Sequence, residues 1–149
     1  MKITGNISTV LNRKGGCVWS ISPDATVFEA IQLMAEKNVG ALLVMSGAQL
    51  AGIVTERDYT RNVALKGKSS RETKVREIIS HQLVAVTPEH SVEDCMKLMT
   101  EQRVRHLPVL VNEAVIGVVS IGDLVNWTIS AQNVALEQME HYIAGTYPG

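Results

Sequence analysis

The chain has 149 residues, 46% of them hydrophobic and 19% charged, with a formal net charge of −1. That profile suits one soluble domain or two small halves sharing a core, and it excludes both a disordered acidic chain and a global basic field for nucleic acid. Aromatic residues make up 4%, too few for stacking platforms along single strands, and no window approaches the ~18–20 consecutive apolar residues of a membrane span.

In chain order, the opening stretch MKITGNISTVLNRKGG lacks the apolar centre of a signal peptide. A short strand is expected to end at Pro23. Thr26 stands where an N-cap belongs, and Val27, Ala30, Ile31 and Met34 follow at i, i+3, i+4 and i+7, the spacing of an amphipathic helix. Two apolar β-like runs, 41–45 and 50–54, flank the polar turn Ser46-Gly47-Ala48-Gln49. A second helix is expected to start at Thr55. Residues 60–76 are polar and basic and read as a helix end and linker. The same series then returns. It comprises Pro88, Ser91, the helical set Val92, Cys95, Met96 and Met99, the runs 107–111 and 115–119 around Asn112-Glu113-Ala114, and a helix start at Ser120. Laid over 85–124 without a gap, residues 20–59 match at 11 of 40 positions. Over 124–145 a long helix is expected, with Leu124, Thr128, Ala131, Ala135, Met139 and Ile143 on one face and Gly145 as C-cap.

One such unit of about 60 residues buries too little surface to stand alone. The expected fold is therefore α/β (α+β): two βαββα units related by a pseudo-two-fold and packed through their sheets. By chain order, 1–75 forms unit 1 with the N-terminal segment and linker, and 76–149 forms unit 2 with the long terminal helix. Two equivalent clefts are expected where the units meet.

The sharpest local feature is Gly52-Ile53-Val54-Thr55-Glu56-Arg57-Asp58, repeated as Gly117-Val118-Val119-Ser120-Ile121-Gly122-Asp123. This Gly-hydrophobic-x-Ser/Thr-x-x-Asp pattern resembles the cystathionine β-synthase (CBS) domain, and the tandem arrangement resembles a CBS pair, or Bateman module, over about 15–145. The segments ALLV, GIVTERDY and RHLPV are similar to those of stand-alone bacterial CBS-pair proteins. The resemblance implies a regulatory module that binds adenine nucleotides (AMP, ADP, ATP, NAD or S-adenosylmethionine) between its units, for energy sensing, without catalysis and without a catalytic cofactor. In such a site a carboxylate accepts hydrogen bonds from both ribose hydroxyls, and the Ser/Thr hydroxyl three residues earlier adds a contact at a helix N-terminus. The segments 16–20 and 80–84 would read the adenine edge. One cleft should thus hold Thr55, Arg57, Asp58, Val84, Arg105 and His106; the other should hold Ser120, Asp123, Val18, Ser20, Gly40 and Ala41. The first, with Arg57, Arg105 and His106, is expected to favour the more charged phosphate, and the second a less charged or bulkier group.

Each of these features also has a plainer reading. Ser/Thr-x-x-Asp has the spacing of a capping box, and Arg105-His106 is also consistent with a solvated surface pair. His81, His90 and His141 show no metal-ligand spacing. Cys95 lies on an apolar helix face and Cys17 in a loop; the two are not spaced as a CxxC pair, and a reduced, cytoplasmic setting is expected. The basic set Arg57, Arg61, Lys66, Lys68, Arg71, Lys74 and Arg76 reads as solvated surface rather than a nucleic-acid site. A homodimer and an unidentified regulated protein are the expected partners, and the alternative function is a dimerising scaffold whose clefts stay empty.

Overall fold

The computed structural model describes residues 5–14, 18–79 and 83–143, apart from a few side chains near the end of the last helix. The caps read from the sequence set the two long helices of the repeat. Thr26 accepts the amide of Glu29 and starts α2 (Val27–Lys37); Ser91 accepts the amide of Asp94 and starts α4 (Val92–Gln102). Both helices end on a left-handed residue, Asn38 and Arg103, at φ 55°, a conformation that turns the chain sharply into the following strand.

Each helix leads into a hairpin of identical register. In the first, β2 (Ala41–Ser46) pairs with β3 (Gln49–Thr55); in the second, β4 (His106–Val111) pairs with β5 (Ala114–Ser120). Both carry a bulge at the same place, between Val44 and Met45 and between Val109 and Leu110. The hairpin turns are tighter than the polar stretches suggested, because positive φ at Gly47, and at Asn112 and Glu113, lets two residues reverse the chain. A two-residue strand, β1 (Ser20–Ile21), adds in parallel to β2; in the second unit its counterpart is reduced to one parallel bridge, Val86 to Val109.

The apolar faces collect into two cores. Val27, Ala30, Met34, Leu42, Val44 and Val54 build the first; Val92, Cys95, Met99, Leu107, Val109 and Val119 build the second. Cys95 is fully buried there, and its thiol is pushed up to about 11 by burial and the neighbouring Asp94, so it is an inert core residue. Cys17 lies outside the described residues.

Each core is completed by chain outside its βαββα repeat. The stretch 60–76, read as a helix end and linker, inserts Val63 and Val75 into the first core, and Ile78 just after it joins them. Only Val63 and Val75 are apolar and inward-facing in that polar run, a signal too sparse for periodicity. The N-terminal stretch forms an unanticipated helix, α1 (Ile7–Lys14), capped by Asn6, whose side chain accepts the Thr9 amide. Grouped with unit 1 by chain order, α1 instead buries Ile7 and Val10 in the core of the second unit. The two insertions are equivalent: Ile7 donates to the His90 carbonyl and Val92 to Gly5, while Val75 donates to Ala25 and Val27 to Thr73.

The helices after the hairpins differ. In the first unit α3 (Glu56–Tyr59) runs into one wide π-type turn, Thr60–Ala64. In the second, α5 runs unbroken over Ile121–Ile143. Leu124 is fully buried, as expected, but Met139 is exposed, because α5 projects beyond the core and its apolar face loses its backing. Gly145, the expected cap, lies outside the described residues.

Candidate functional site

Both Ser/Thr-x-x-Asp motifs fold as reciprocal capping boxes. Thr55 Oγ1 accepts the Asp58 amide at 3.1 Å, and Asp58 Oδ2 accepts the Thr55 amide at 2.9 Å. Ser120 and Asp123 repeat this at 3.1 and 2.8 Å. The plainer reading of the motif is therefore a structural fact in both copies. It does not consume the carboxylates, since only Oδ2 of each is engaged by the described residues.

The strand register brings the rest of one site to Asp123. His106 pairs directly with Ser120, and Ala41 with Thr55, so the residues before each hairpin sit beside the helix start that follows it. A cavity of about 340 Å³ opens between the units, lined by Val18, Gly40, Ala41, Ser120 and Asp123. That volume is within the ~300–1,000 Å³ range of small-molecule sites. His106, assigned by resemblance to the Asp58 cleft, is also on this wall. Ser20 is not a lining residue; it pairs through β1 with Leu43. Apolar surface comes from Leu42, Leu43, Ile53 and Val118, and Trp19 stands at the rim with the Lys37 ammonium 4.4 Å from its ring centre.

The other predicted set is less closely joined in the described contacts. Thr55 and Asp58 are bound to each other, and Val84 packs on the second core. The Arg57 and Arg105 side chains make no hydrogen bond to described residues, and the Arg105 backbone carbonyl accepts from Ile121. Of the segments expected to read adenine, residues 16, 17 and 80–82 lie outside the described residues, as does His81. Among the described residues no cluster of His, Cys, Asp or Glu could hold a metal.

The residue missed from sequence is Lys14. Its Nζ reaches Asp123 Oδ2 at 2.7 Å and the Val118 carbonyl at 2.8 Å. The cleft expected to be the less basic thus contains an ammonium. Lys14 arrives because α1 packs on β5, where Gly117 admits it: a Cβ at Gly117 would lie 2.8 Å from Leu11 Cδ2. The arm before unit 1 also has three more residues than its counterpart, between Asn6 and Ile21 against Lys74 and Val86, nearly one helical turn. The Ile7, Val10 and Leu11 spacing after Asn6 was the available sequence signal.

The two aspartates differ electrostatically. Burial pushes Asp58 above its ordinary value, outweighing the Thr55 hydrogen bonds and the charges of Arg57 and Arg61. Burial also opposes the charge on Asp123, but the Lys14 contact and the Ser120 hydrogen bonds together hold it below the usual range. Burial lowers the His106 pKa, helped by Lys14 and Arg105 and resisted by Asp123, so its imidazole is neutral near pH 7.

Comparison with known proteins identifies the family and the fold. The CBS domain family model matches twice, at residues 17–65 and 75–130. The chain belongs to the CBS domain family. Among relatives, CBSX3, a mitochondrial CBS domain-containing protein of Arabidopsis thaliana, is 41% identical over 95% of this chain and 73% of its own length. The CBS domain-containing protein YhcV of Bacillus subtilis is 34% identical over 87% and 84%. Of solved structures, the CBS domain protein NE2398 superposes with a TM-score of 0.81 at 48% identity, covering 85% of this chain and 98% of that one. ATU1752 from Agrobacterium tumefaciens gives 0.78 at 32%, covering 82% and 98%. The chain is thus a tandem CBS pair, and among the described residues no helix is long and apolar enough to cross a membrane.

Proposed function

We propose that this CBS pair is a regulatory module that binds adenine nucleotides (AMP, ADP, ATP or NAD, with S-adenosylmethionine as a further candidate) between its units and signals through their relative angle. The observation that carries the reading is the Asp123 cavity. It is walled by both units, has apolar faces for a base, and offers a carboxylate with one oxygen left over from its cap. A ligand bridging the two units shifts their arrangement to the extent that it binds one arrangement more tightly. A solved CBS pair of the same fold, that of protein MJ0100, holds 5-methylthioadenosine and S-adenosylmethionine. Asp58 with Thr55, Arg57, Val84 and Arg105 is the proposed second cleft. The role is one of binding, without chemistry, in the cytoplasm; the relative CBSX3 carries a mitochondrial designation.

The proposed assembly is a homodimer. Val125, Ile129, Leu136 and Met139 are exposed along α5 at spacings of four, seven and three, the pattern of a coiled-coil seam. A hexameric CBS-CP12 protein, 30% identical, shares the fold. The same stripe favours the second reading, a scaffold that dimerises with empty clefts.

A thermal-shift screen with AMP, ADP, ATP, NAD and S-adenosylmethionine separates the two. Saturation at about 100 times Kd stabilises by ~2.7 kcal/mol, or roughly 5–10 °C for a chain of this size. The sensor reading expects such a shift for at least one compound, lost in Asp123→Ala or Asp58→Ala. No shift with any of them favours the scaffold.

A further inference from the structure

Two cavities meet at a single ion pair. Behind the 340 Å³ cleft lies a groove of about 180 Å³ between α1 and α5, lined in part by Arg13, Asn126 and Ser130; Lys14 and Asp123 belong to the walls of both. The groove holds more positive charge than the described side chains neutralise. Arg13 donates to Ser130 Oγ at 3.2 Å and lies 5.7 Å from the Trp127 ring centre, but it has no carboxylate partner among the described residues. Lys14 shares the one carboxylate, that of Asp123, with the Ser120 amide.

We propose that Lys14 and Arg13 form a phosphate subsite in this groove, and that the Lys14–Asp123 pair makes the cleft select phosphorylated nucleosides over uncharged or cationic ones. The inference rests on the nucleotide reading of the cleft. A ribose diol that takes Asp123 must displace the ammonium or crowd it. An uncharged nucleoside gives Lys14 nothing in return, and a sulfonium adds a second cation. A phosphate replaces the lost anion, and the flexible four-carbon stem of lysine lets Nζ follow it. Arg13, one residue back on the same helix, presents a planar fork to the next phosphate oxygens. A residue of the longer arm, outside the repeated motif, thereby sets which adenosine compounds the Asp123 cleft accepts.

The test titrates the full chain with adenosine, AMP and ATP by calorimetry, with Lys14 as in wild type, Lys14→Met or Lys14→Arg, each form also carrying Asp58→Ala so that the second proposed cleft does not contribute. AMP is expected to bind the Lys14 form about 10-fold or more tighter than adenosine, the scale of one charge-assisted hydrogen bond. In Lys14→Met adenosine should tighten while AMP weakens, so the ratio falls towards unity; Lys14→Arg should restore it. An AMP advantage that survives in Lys14→Met, or adenosine binding the Lys14 form as tightly as AMP, overturns the Lys14 inference and leaves the nucleotide reading standing. If no adenine compound binds the Lys14 form or Lys14→Met, the nucleotide reading of this cleft falls and the inference falls with it.

Discussion

Replacing Ile7 by alanine tests whether the N-terminal helix is an integral part of the second unit. Ile7 has no exposed surface and packs among Val86, Val92, Leu107 and Leu124. The substitution removes three carbon atoms, worth ~0.8 kcal/mol each in transfer free energy, or ~2.4 kcal/mol. A buried Ile-to-Ala change also leaves a cavity that relaxes only in part, which raises the cost to about 3–4 kcal/mol. Alanine is the better helix former and returns a few tenths of a kcal/mol. At roughly 2–4 °C per kcal/mol for a chain of this size, Tm should drop by about 10 °C. Urea unfolding followed by circular dichroism should show the midpoint fall with an unchanged slope. Val75→Ala, at the equivalent place in the first core, should cost ~2–3 kcal/mol. Asn12→Ala, on the exposed face of the same helix, is the control and should stay within ~0.5 kcal/mol of wild type. An Ile7→Ala variant as stable as that control would refute the docking of α1, and with it the route by which Lys14 reaches Asp123.

Gly5→Ala should be destabilising by more than its size suggests. Gly5 has φ +107°, and a Cβ there would lie 2.7–2.9 Å from the Trp127 indole; a loss of about 1–3 kcal/mol in thermal or urea unfolding is expected, and a neutral result would place this contact outside the folded ensemble. Stability should also fall on acidification. The folded-state pKa of His106 is lowered by burial and by Lys14 and Arg105, so the unfolded chain takes up that proton first; the contribution is fully present above about 6.5 and is lost as pH drops through the folded value. His106→Gln should therefore lose less stability than wild type between pH 7.5 and 5.5, and parallel pH profiles would contradict the assignment.

The repeat was legible because its two copies share spacing as well as residue type. Caps at Thr26 and Ser91, hairpins around Gly47 and Asn112, and the motif aspartates are all local signals, and each fell where the spacing placed it. What the sequence hid was non-local. Val63 and Val75 are single apolar residues in a polar stretch, and only the core they enter explains them. Ile7, Val10 and Leu11 do carry a helical spacing, but nothing local says that they belong to the distant half of the chain. Lys14 was missed for the same reason: its importance lies in a carboxylate more than a hundred residues away. His106 reached the Asp123 cavity through strand register, which the motif does not encode. The exposure of Met139 depends on where the core ends, and helical periodicity is silent on that point.

The reciprocal way in which each unit is completed has a consequence for its ancestry. The strand preceding α2 is reached from an arm that clasps the far unit, and the strand preceding α4 from an arm that clasps the near one. A lone unit with its own arm could satisfy this pattern only by lending the arm to a twin and borrowing one back, which is a domain-swapped pair. The present chain has the form such a pair takes once its two members are spliced end to end. Splicing turns a bimolecular encounter into an intramolecular one at high effective concentration, and it frees the two arms to diverge. The two arms now differ by three residues, and the longer one carries a lysine to the mouth of a cleft.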